Sequence, residues 1–229
     1  LCCVAAASAQ ASVLERVAGG GKLVIAYRES SVPFSYIDSQ SGKPVGYALD
    51  LCLRMAELVR KKTGKKDMEI ELVPVTPANR IAMIEQGKAD MECGSTTNNA
   101  ERRQKVAFTI PHFITGARLL VKSASPIDKV EDLNGKTLLF PSPNAFGASL
   151  FMRALLTREK GIKFVTKYVK THPNVIRGVV RGEGQAGGMV SSTLLAESQE
   201  LQDKVTIVYE TPPVPPQPIA AHPRLEKAT

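Results

Sequence analysis

The sequence predicts an α/β protein made of two similar units, each a mostly parallel sheet with helices packed against it. Short apolar runs typical of buried strands alternate with amphipathic helical stretches along the 229 residues. An internal echo supports two units, because residues 87–96 read GKADMECGST and residues 184–193 read GQAGGMVSST, with Gly-x-Ala and Ser-Thr in register. Parallel sheets of this kind bind ligands at the carboxyl ends of their strands.

In the first half we predict three strands, residues 21–27, 68–75 and 89–93, and two helices, residues 47–62 and 79–86. The longer helix has a broad apolar face and ends at a basic cluster before Gly64, which is typical of a helix C-terminus. The middle strand alternates between apolar and polar residues, as a half-buried strand does.

In the second half we predict a strand at residues 134–140, helices at 148–158 and 175–181, and a further strand within 184–193. The first of these strands breaks into Pro-Ser-Pro-Asn at 141–144. A proline-rich run at 212–218 is interpreted as a stiff connector, with a polyproline ligand as the alternative.

Composition is that of an ordinary globular chain long enough to bury a core. The sequence has 30 Lys and Arg against 22 Asp and Glu, a net charge of +8. These charges are scattered apart from the cluster at 60–66, and few aromatic residues lie among them, so a nucleic-acid partner is not predicted. The balance weakly favours an anion as the ligand.

The first eleven residues are small and apolar and end in an Ala-x-Ala pattern, which is typical of the cleavage end of a secretory signal. We expect residues 1–11 to be a signal-peptide remnant and the mature chain to start near Ser12. Two cysteines, Cys52 and Cys93, then remain. We expect two buried thiols, with a disulfide as the alternative, because spacing alone does not set the geometry of a pair.

A hydroxyl-rich loop follows the strand at 89–93, and Ser95 and Thr97 belong to it. Asn98 with Glu101 forms a capping-box pattern, so we predict a helix whose free N–H groups point back at the loop. Such helix ends attract anions, and Arg102 adds a planar fork that matches a carboxylate. The alternative is a capped surface helix with a solvated arginine.

Arg28, Ser95 and the loop at 142–144 each follow a predicted strand. Since the carboxyl ends of parallel strands share one edge of a sheet, we expect these groups to face a cleft between the two units.

Five stretches carry a resemblance to a known family: YRESSVPFSY at 27–36, VGY at 45–47, PANRI at 77–81, ECGSTTNN at 92–99 with ER at 101–102, and GARLL at 116–120. Together they resemble the solute-binding proteins of amino-acid ABC importers, family 3, and within it the glutamate/aspartate-binding branch. The resemblance implies a type II periplasmic binding protein fold, two Rossmann-like lobes joined by a hinge. It implies lobe 1 at 12–113, lobe 2 with crossing strands at 114–210, and a return to lobe 1 at 211–229.

The resemblance also implies a ligand-binding set. The ligand's carboxylates would be held by residues that match the branch, and a histidine of the branch is matched as well; these are Arg28, Arg80, Ser95, Thr97, Arg102 and His172. Weaker candidates are Ser30, Ser142 and Ser192. No catalytic residue, metal ligand or cofactor is predicted.

The second half departs from the branch at two places. Where the branch has a Ser-Gly-Thr-Thr loop, the chain has Pro-Ser-Pro-Asn at 141–144, and where it has an aspartate for the ligand's ammonium, the chain has Ser191 and Ser192. An ammonium without a carboxylate partner loses a charge-assisted bond. We therefore expect an acidic amino acid or a related dicarboxylate without an α-amino group, with Asp90 or Glu92 as alternative partners for an ammonium.

Family members continue beyond the point that corresponds to residue 229, and residues 223–229 resemble the first turns of a helix cut short. The implied function is the periplasmic solute-binding component of an ABC importer, a monomer that delivers a small anionic solute to the inner-membrane permease. A dehydratase-like periplasmic enzyme and a sensory domain on the same scaffold are the alternatives. The acid–base candidates His112, His172 and Glu92 lack a recognisable partner motif, and we expect His112 on the lobe surface.

Overall fold

The computed structural model describes residues 11–225, apart from the side chains of residues 214–216. The expected signal-peptide remnant at 1–11 lies outside the described residues except for Ala11. Of the helix start expected at 223–229, the last four residues also lie outside, and residues 223–225 form a turn. Within 11–225, no helix combines the length and apolarity needed to cross a membrane.

The first half alternates strands and helices around one sheet. Its elements are α1 Val13–Ala18, β1 Leu23–Tyr27, β2 Ser30–Ser31, β3 Ser35–Ile37, β4 Pro44–Val45, α2 Tyr47–Thr63, β5 Ile70–Pro74, α3 Arg80–Glu85, β6 Met91–Cys93, α4 Ala100–Arg103, β7 Ala107–Phe108 and β8 Phe113–Thr115. The predicted strands and helices of this half are all present, with ends shifted by a few residues.

The second half repeats the plan. Its elements are β9 Ala117–Lys122, a 3-10 turn Val130–Leu133, β10 Thr137–Phe140, α5 Met152–Ala154 between π-helical turns Phe146–Phe151 and Leu155–Glu159, β11 Val165–Tyr168, α6 His172–Arg181, β12 Ala186–Val190, α7 Ser191–Leu195, α8 Gln199–Gln202, β13 Val205–Glu210, β14 Val214–Gln217 and β15 Ala220–Ala221.

The two five-stranded sheets have matching topology, with orders β5-β1-β6-β15-β7 and β11-β10-β12-β9-β13. In each, the first three strands are parallel, the fourth runs antiparallel to them, and the fifth, paired antiparallel to the fourth, runs in the direction of the first three. The sheets are therefore mixed, with one reversed strand of five: β15, which returns from the second half, in the first sheet and β9 in the second. We call the part built on the first sheet lobe 1 and the part built on the second lobe 2.

The helix α2 covers lobe 1 because its apolar face is continuous. Leu49, Cys52, Ala56 and Val59 are buried in one cluster with the first sheet, and the helix ends at Gly64 in a left-handed conformation, with φ +70°. Glycine adopts this conformation without the steric cost that a side chain brings.

The expectation of two free thiols is wrong, because Cys52 and Cys93 form a disulfide with Cα atoms 6.3 Å apart. The reason is tertiary: α2 packs across β6, so the second turn of the helix lies over the end of the strand. The bond ties α2 to the residue that precedes the hydroxyl-rich loop.

The proline-rich run forms the crossing strand β14, which pairs antiparallel with β8. A second pair, β9 with β13, lies at the edge of the second sheet. The run is thus part of the connection between the lobes, which favours the connector interpretation over a free polyproline segment.

The helix expected at 148–158 begins two residues earlier and is wound mostly as a π-helix. Its start packs closely on β12, since a Cβ atom added at Gly188 would lie 2.5 Å from the carbonyl oxygen of Ala148. Such π-turns are frequent at functional sites, and this one lies on the wall of the cavity described next.

Candidate functional site

A cavity of about 40 Å³ lies between the two lobes, where four central strands end. Its lobe 1 residues are Arg28, Ser30, Ser31, Val32, Phe34, Pro77, Arg80, Ser95 and Thr97. Its lobe 2 residues are Pro141, Ser142, Ala145, Phe146, Gly147, Ala148, Lys170, Thr171, His172 and Val190, and Gln217 joins them from β14. A space of this size holds a few water molecules, so the lobes are closed on one another.

A second cavity of about 330 Å³ forms the mouth of this cleft. It shares six lining residues with the first, and Glu29, Asn144 and other residues complete it. The expected interlobe cleft is therefore present, with a narrow interior and a wider entrance.

Arg28 follows β1 directly, and two hydrogen bonds to Ser35 hold its main chain in place. Its N–H donates to Ser35 Oγ over 2.8 Å, and the same hydroxyl donates back to the Arg28 carbonyl over 3.0 Å. Burial lowers the pKa of the guanidinium to about 10, and repulsion from Arg80 adds to the effect. The Nε atom of Arg28 has no hydrogen-bond partner among the described residues.

Arg80 is the first residue of α3 and is 3% exposed. Its Nη1 lies 3.9 Å from Glu92 Oε1, too far for a hydrogen bond, and its Nε and Nη1 have no partner within the described part of the chain. Burial lowers the pKa of Arg80, and Glu92 partly offsets this. A buried guanidinium with unused donors is costly in isolation and is an obvious place for an anion.

Glu92 itself is 1% exposed and does not line the cleft. It lies beside Gly94, where an added Cβ atom would come within 2.5 Å of Glu92 Oε1 and 2.8 Å of Arg28 Cγ. Glycine at this position is what lets the carboxylate and the arginine stem approach each other. Glu92 was a candidate acid or base, but the structure gives this role no support, because the side chain is buried and does not line the cleft.

Arg102 bridges the lobes instead of lining the cavity. Its Nη1 donates to the Thr97 carbonyl over 2.9 Å, and its Nη2 donates to the Asn144 carbonyl in lobe 2 over 3.1 Å. Burial lowers its pKa to about 10, followed by repulsion from Arg80. The side chain is therefore close enough to the other arginines to contribute charge to the site.

The predicted capping box at Asn98 is wrong by one residue. Asn99 caps α4, its Oδ1 accepting from the Arg102 N–H over 2.9 Å, while Asn98 Oδ1 accepts from Arg103 Nη1. Two adjacent asparagines compete for the cap, and only the backbone path decides between them. The helix has four residues, so its contribution to anion binding is small.

The hydroxyl groups of lobe 1 converge as expected. Ser31 Oγ and Ser95 Oγ lie 2.6 Å apart, and Ser30 and Thr97 line the same wall. Either serine can turn its proton toward an anion, because hydroxyl groups rotate to suit the partner.

The lobe 2 wall carries His172 as a neutral group. Its Nδ1 accepts a long, 3.4 Å hydrogen bond from the Val190 N–H, and its pKa is lowered to about 3 by burial first and then by Arg28 and Arg80. Thr171 caps the helix that carries it, accepting from the Asn174 N–H over 3.2 Å. An imidazole in this state offers hydrogen bonds but no charge.

The two serine candidates of lobe 2, Ser142 and Ser192, differ in whether they line the cleft. Ser142 lines the cleft, and its Oγ has no partner in the described residues. Ser192 does not line it, although its buried Oγ is also without a described partner. Ser191 Oγ already has a hydrogen-bond partner, because it donates to the Gly116 carbonyl over 3.1 Å.

Gln217 and Lys170 are two of the lining residues that the sequence did not indicate. Gln217 is 3% exposed, and its Oε1 has no described partner, but it sits in the proline-rich run that we interpreted as a connector. Lys170 has φ +75°, a left-handed conformation rare for a side chain of its size, and it follows no motif. The buried amide and the strained backbone are visible only in three dimensions.

His112 lies outside the cleft, with its ring centroid 5.4 Å from that of Tyr47. Among residues 11–225 there is no group of three or more His, Cys, Asp or Glu placed to hold a metal ion. What the cleft offers is hydrogen-bond donors and positive charge.

Comparisons with known proteins agree with this geometry. Residues 52–229 match the family model described as "ABC transporter, phosphonate, periplasmic substrate-binding protein". The glutamate/aspartate import solute-binding protein of Salmonella typhimurium is 38% identical over 192 residues, 83% of this chain and 62% of that protein. The chain thus spans less than two thirds of that relative's length.

Among solved structures, a mutant of ArgBP from T. maritima has a TM-score of 0.73 at 22% identity, over 92% of this chain and 85% of that one. An ancestral arginine-binding protein bound to arginine has a TM-score of 0.69 at 26% identity, over 89% of this chain and 85% of that one. The first likeness shows the fold alone. The predicted type II binding-protein fold is confirmed.

Proposed function

The chain belongs to the periplasmic substrate-binding proteins of ABC transporters, in the amino-acid-binding family 3, and on that premise we propose that it captures a small anionic solute between its two lobes. In this proposal it acts in the periplasm as a binding protein rather than an enzyme. It delivers the solute to the permease of an ABC importer.

The observation that carries the proposal is the set of unused donors in the cleft. Arg80 Nε and Nη1 and Arg28 Nε are buried without a hydrogen-bond partner among the described residues, and the cavity lies against them. Buried polar groups in native proteins are otherwise paired, so a ligand that accepts these bonds completes the site. Carboxylates and phosphonates match the guanidinium fork.

The names of the relatives point to the same charge. The description of the matched model names phosphonate, and the names of the curated relatives at 37–38% identity name glutamate and aspartate, all of which carry anionic groups. The arginine-binding structures do not supply the ligand, because a guanidinium ligand would be repelled by the buried arginines of this chain.

We propose that ligand contacts come from Arg28, Arg80, Ser95, Thr97 and His172, with Arg102 acting across the lobes. The division into lobe 1 at 12–113, lobe 2 at 114–210 and a return at 211–229 places the hinge at the paired crossing strands. Closing about this hinge brings the lobe 2 loops onto a ligand already held by lobe 1.

Isothermal titration calorimetry of the full chain tests the proposal. The ligands are L-glutamate, L-aspartate, glutarate, succinate and methylphosphonate, with L-arginine as the cationic control. We expect saturable binding of at least one anion and none of arginine. Binding of arginine alone, or of none of the six, would overturn the proposed function.

A further inference from the structure

We propose that the cleft is selective for a small dianion that carries no ammonium group, such as an amine-free dicarboxylate. This inference rests on the proposed function, since it specifies the ligand of the same site. It is argued from the charges that surround the cleft and from the groups of the lobe 2 wall.

The buried charges at the cleft do not balance. Three guanidinium groups, those of Arg28, Arg80 and Arg102, are each less than 10% exposed, and one buried carboxylate, Glu92, faces them. Two positive charges are left over. A dianion neutralises them, whereas an acidic amino acid, with two carboxylates and one ammonium, leaves one uncompensated. Buried charge is tolerated mainly when it is paired.

The exposed charges at the mouth do not change this balance. Glu29 lines the entrance, Lys170 lines both the entrance and the interior cavity, and both side chains are exposed. Their charges are opposite and in contact with solvent, so they largely cancel and are screened. The surplus therefore belongs to the buried arginines.

An ammonium would find no carboxylate on the wall of the interior cavity, because none of the described residues that line it is an aspartate or glutamate; Glu29 lies at the mouth and is exposed. Asp90 is fully engaged: Arg16 Nη2 lies 2.6 and 2.7 Å from its two oxygens, and the Val24 N–H donates to it over 2.8 Å. Glu210 lies near the hinge, but its Oε1 is 3.1 Å from Arg118 Nε and its side chain is half exposed.

These contacts exclude the partners that the sequence left open for an ammonium. Asp90 cannot turn toward the cleft without breaking two bonds to Arg16 and one to the Val24 N–H, and Glu92 does not line the interior cavity, its Oε1 lying 3.9 Å from Arg80 Nη1. What remains are neutral acceptors, the Oγ of Ser142 and the Oε1 of Gln217. A neutral acceptor replaces only part of the hydration that a buried ammonium loses.

Paired calorimetric titrations of the full chain test the inference, with glutarate against L-glutamate and succinate against L-aspartate. Each pair differs in the amino group and keeps both carboxylates. We expect each amine-free acid to bind more tightly than its amino acid. Equal or tighter binding of either amino acid overturns the inference and leaves the proposed function standing. Absence of binding by all four overturns the inference, and the proposed function falls with it only if methylphosphonate also fails to bind.

Substitutions in lobe 2 then test whether this lobe determines the preference between glutarate and glutamate. Ser191→Asp and Ser192→Asp each add a carboxylate within two residues of Val190, which ends β12 and lines the cleft, and we expect at least one to shift the glutarate-to-glutamate affinity ratio about tenfold toward glutamate. The matched control is Ser198→Asp, which adds the same charge at an exposed position of the same lobe. A ratio that moves equally in the control, or in neither test variant, contradicts the inference.

Discussion

The two walls of the cleft differ in charge although they descend from the same structural plan. On the lobe 1 side, Arg28 and Arg80 present buried guanidinium groups with unused donors. On the lobe 2 side, the wall presents Ser142, Thr171, the neutral His172 and apolar residues, and its one charged residue among those described, Lys170, is exposed to solvent. The difference shows that two lobes of the same topology have different roles in binding. The guanidinium groups of lobe 1 attract an anionic ligand, and the lobe 2 wall sets the shape of the cleft and disfavours a ligand with an ammonium group.

The supports of the two walls differ as well. In lobe 1, the Cys52–Cys93 disulfide anchors the strand end immediately before Gly94 and Ser95. The second sheet, β9 to β13, and the segments between its strands contain no cysteine. The wall that carries the charge is therefore also the one held covalently, which suits a site that must keep like charges close together.

Reduction of the disulfide should give the largest effect and should act on lobe 1. The bond closes a loop of 41 residues, for which the chain-entropy relation gives about 4 kcal/mol of the free energy of unfolding. Urea unfolding with and without dithiothreitol measures it. The double variant Cys52→Ala/Cys93→Ala, insensitive to the reductant, is the control. Equal midpoints for the parent in both conditions would show that the bond is not present in solution.

Arg80→Lys should be the next largest change. Lysine keeps the charge but cannot make two parallel bonds, so we expect a loss of about 2–3 kcal/mol in binding free energy, roughly 100-fold in Kd. The control is Arg54→Lys on the exposed face of α2. Calorimetry with the tightest anion measures both variants, and circular dichroism confirms that they fold. Parent-like affinity in Arg80→Lys would place the attraction elsewhere.

Arg102→Lys probes an arginine that touches both walls. Its two bonds, to the carbonyls of Thr97 and Asn144, need the guanidinium fork, so we expect about a tenfold loss of affinity through weaker closure. Arg103→Lys, an exposed neighbour bonded to Asn98, is the matched control. An equal effect in the two variants would remove Arg102 from the site.

The pH dependence of the free energy of unfolding reports on His172 in the lobe 2 wall. We expect this to be the smallest of the four effects. The pKa of His172 is lowered to about 3 in the folded protein, so between pH 6.5 and 3 the unfolded chain binds a proton that the native state refuses. Stability is therefore lost as pH falls below about 6.5 and is not affected by this group above it.

Between pH 7 and 5.5 this amounts to about 1 kcal/mol. His172→Gln should lose less stability than the parent over that interval, in urea unfolding at both pH values. His112 and His222 also have lowered pKa values but are present in both proteins, so the difference reports on His172. Identical slopes would mean that His172 is not buried as a neutral group.

Much of the fold was predictable because local patterns set it. The echo between residues 87–96 and 184–193 corresponds to β6 and β12, which occupy the same place in the two sheets. The helix α2 was predicted almost to the residue, since its apolar face and Gly64 are both local signals. The positions of Arg28 and Ser95 on one cleft followed from strand ends alone.

The rest depended on packing between distant segments. The Cys52–Cys93 pairing needs α2 to cross β6, which spacing does not specify. The burial of Gln217 depends on the crossing of β14, and the approach of Arg102 to Asn144 depends on how far the lobes close. None of these leaves a signal in a single sequence, because each is fixed by residues more than 40 positions away.

A crystal structure of the full chain with bound glutarate tests the division between the walls most directly. We expect both carboxylates within hydrogen-bond distance of lobe 1 donors, with guanidinium nitrogens of Arg28 and Arg80 among them, and uncharged contacts to lobe 2. A ligand whose carboxylates are held by lobe 2, with Arg80 still unpartnered, would contradict it.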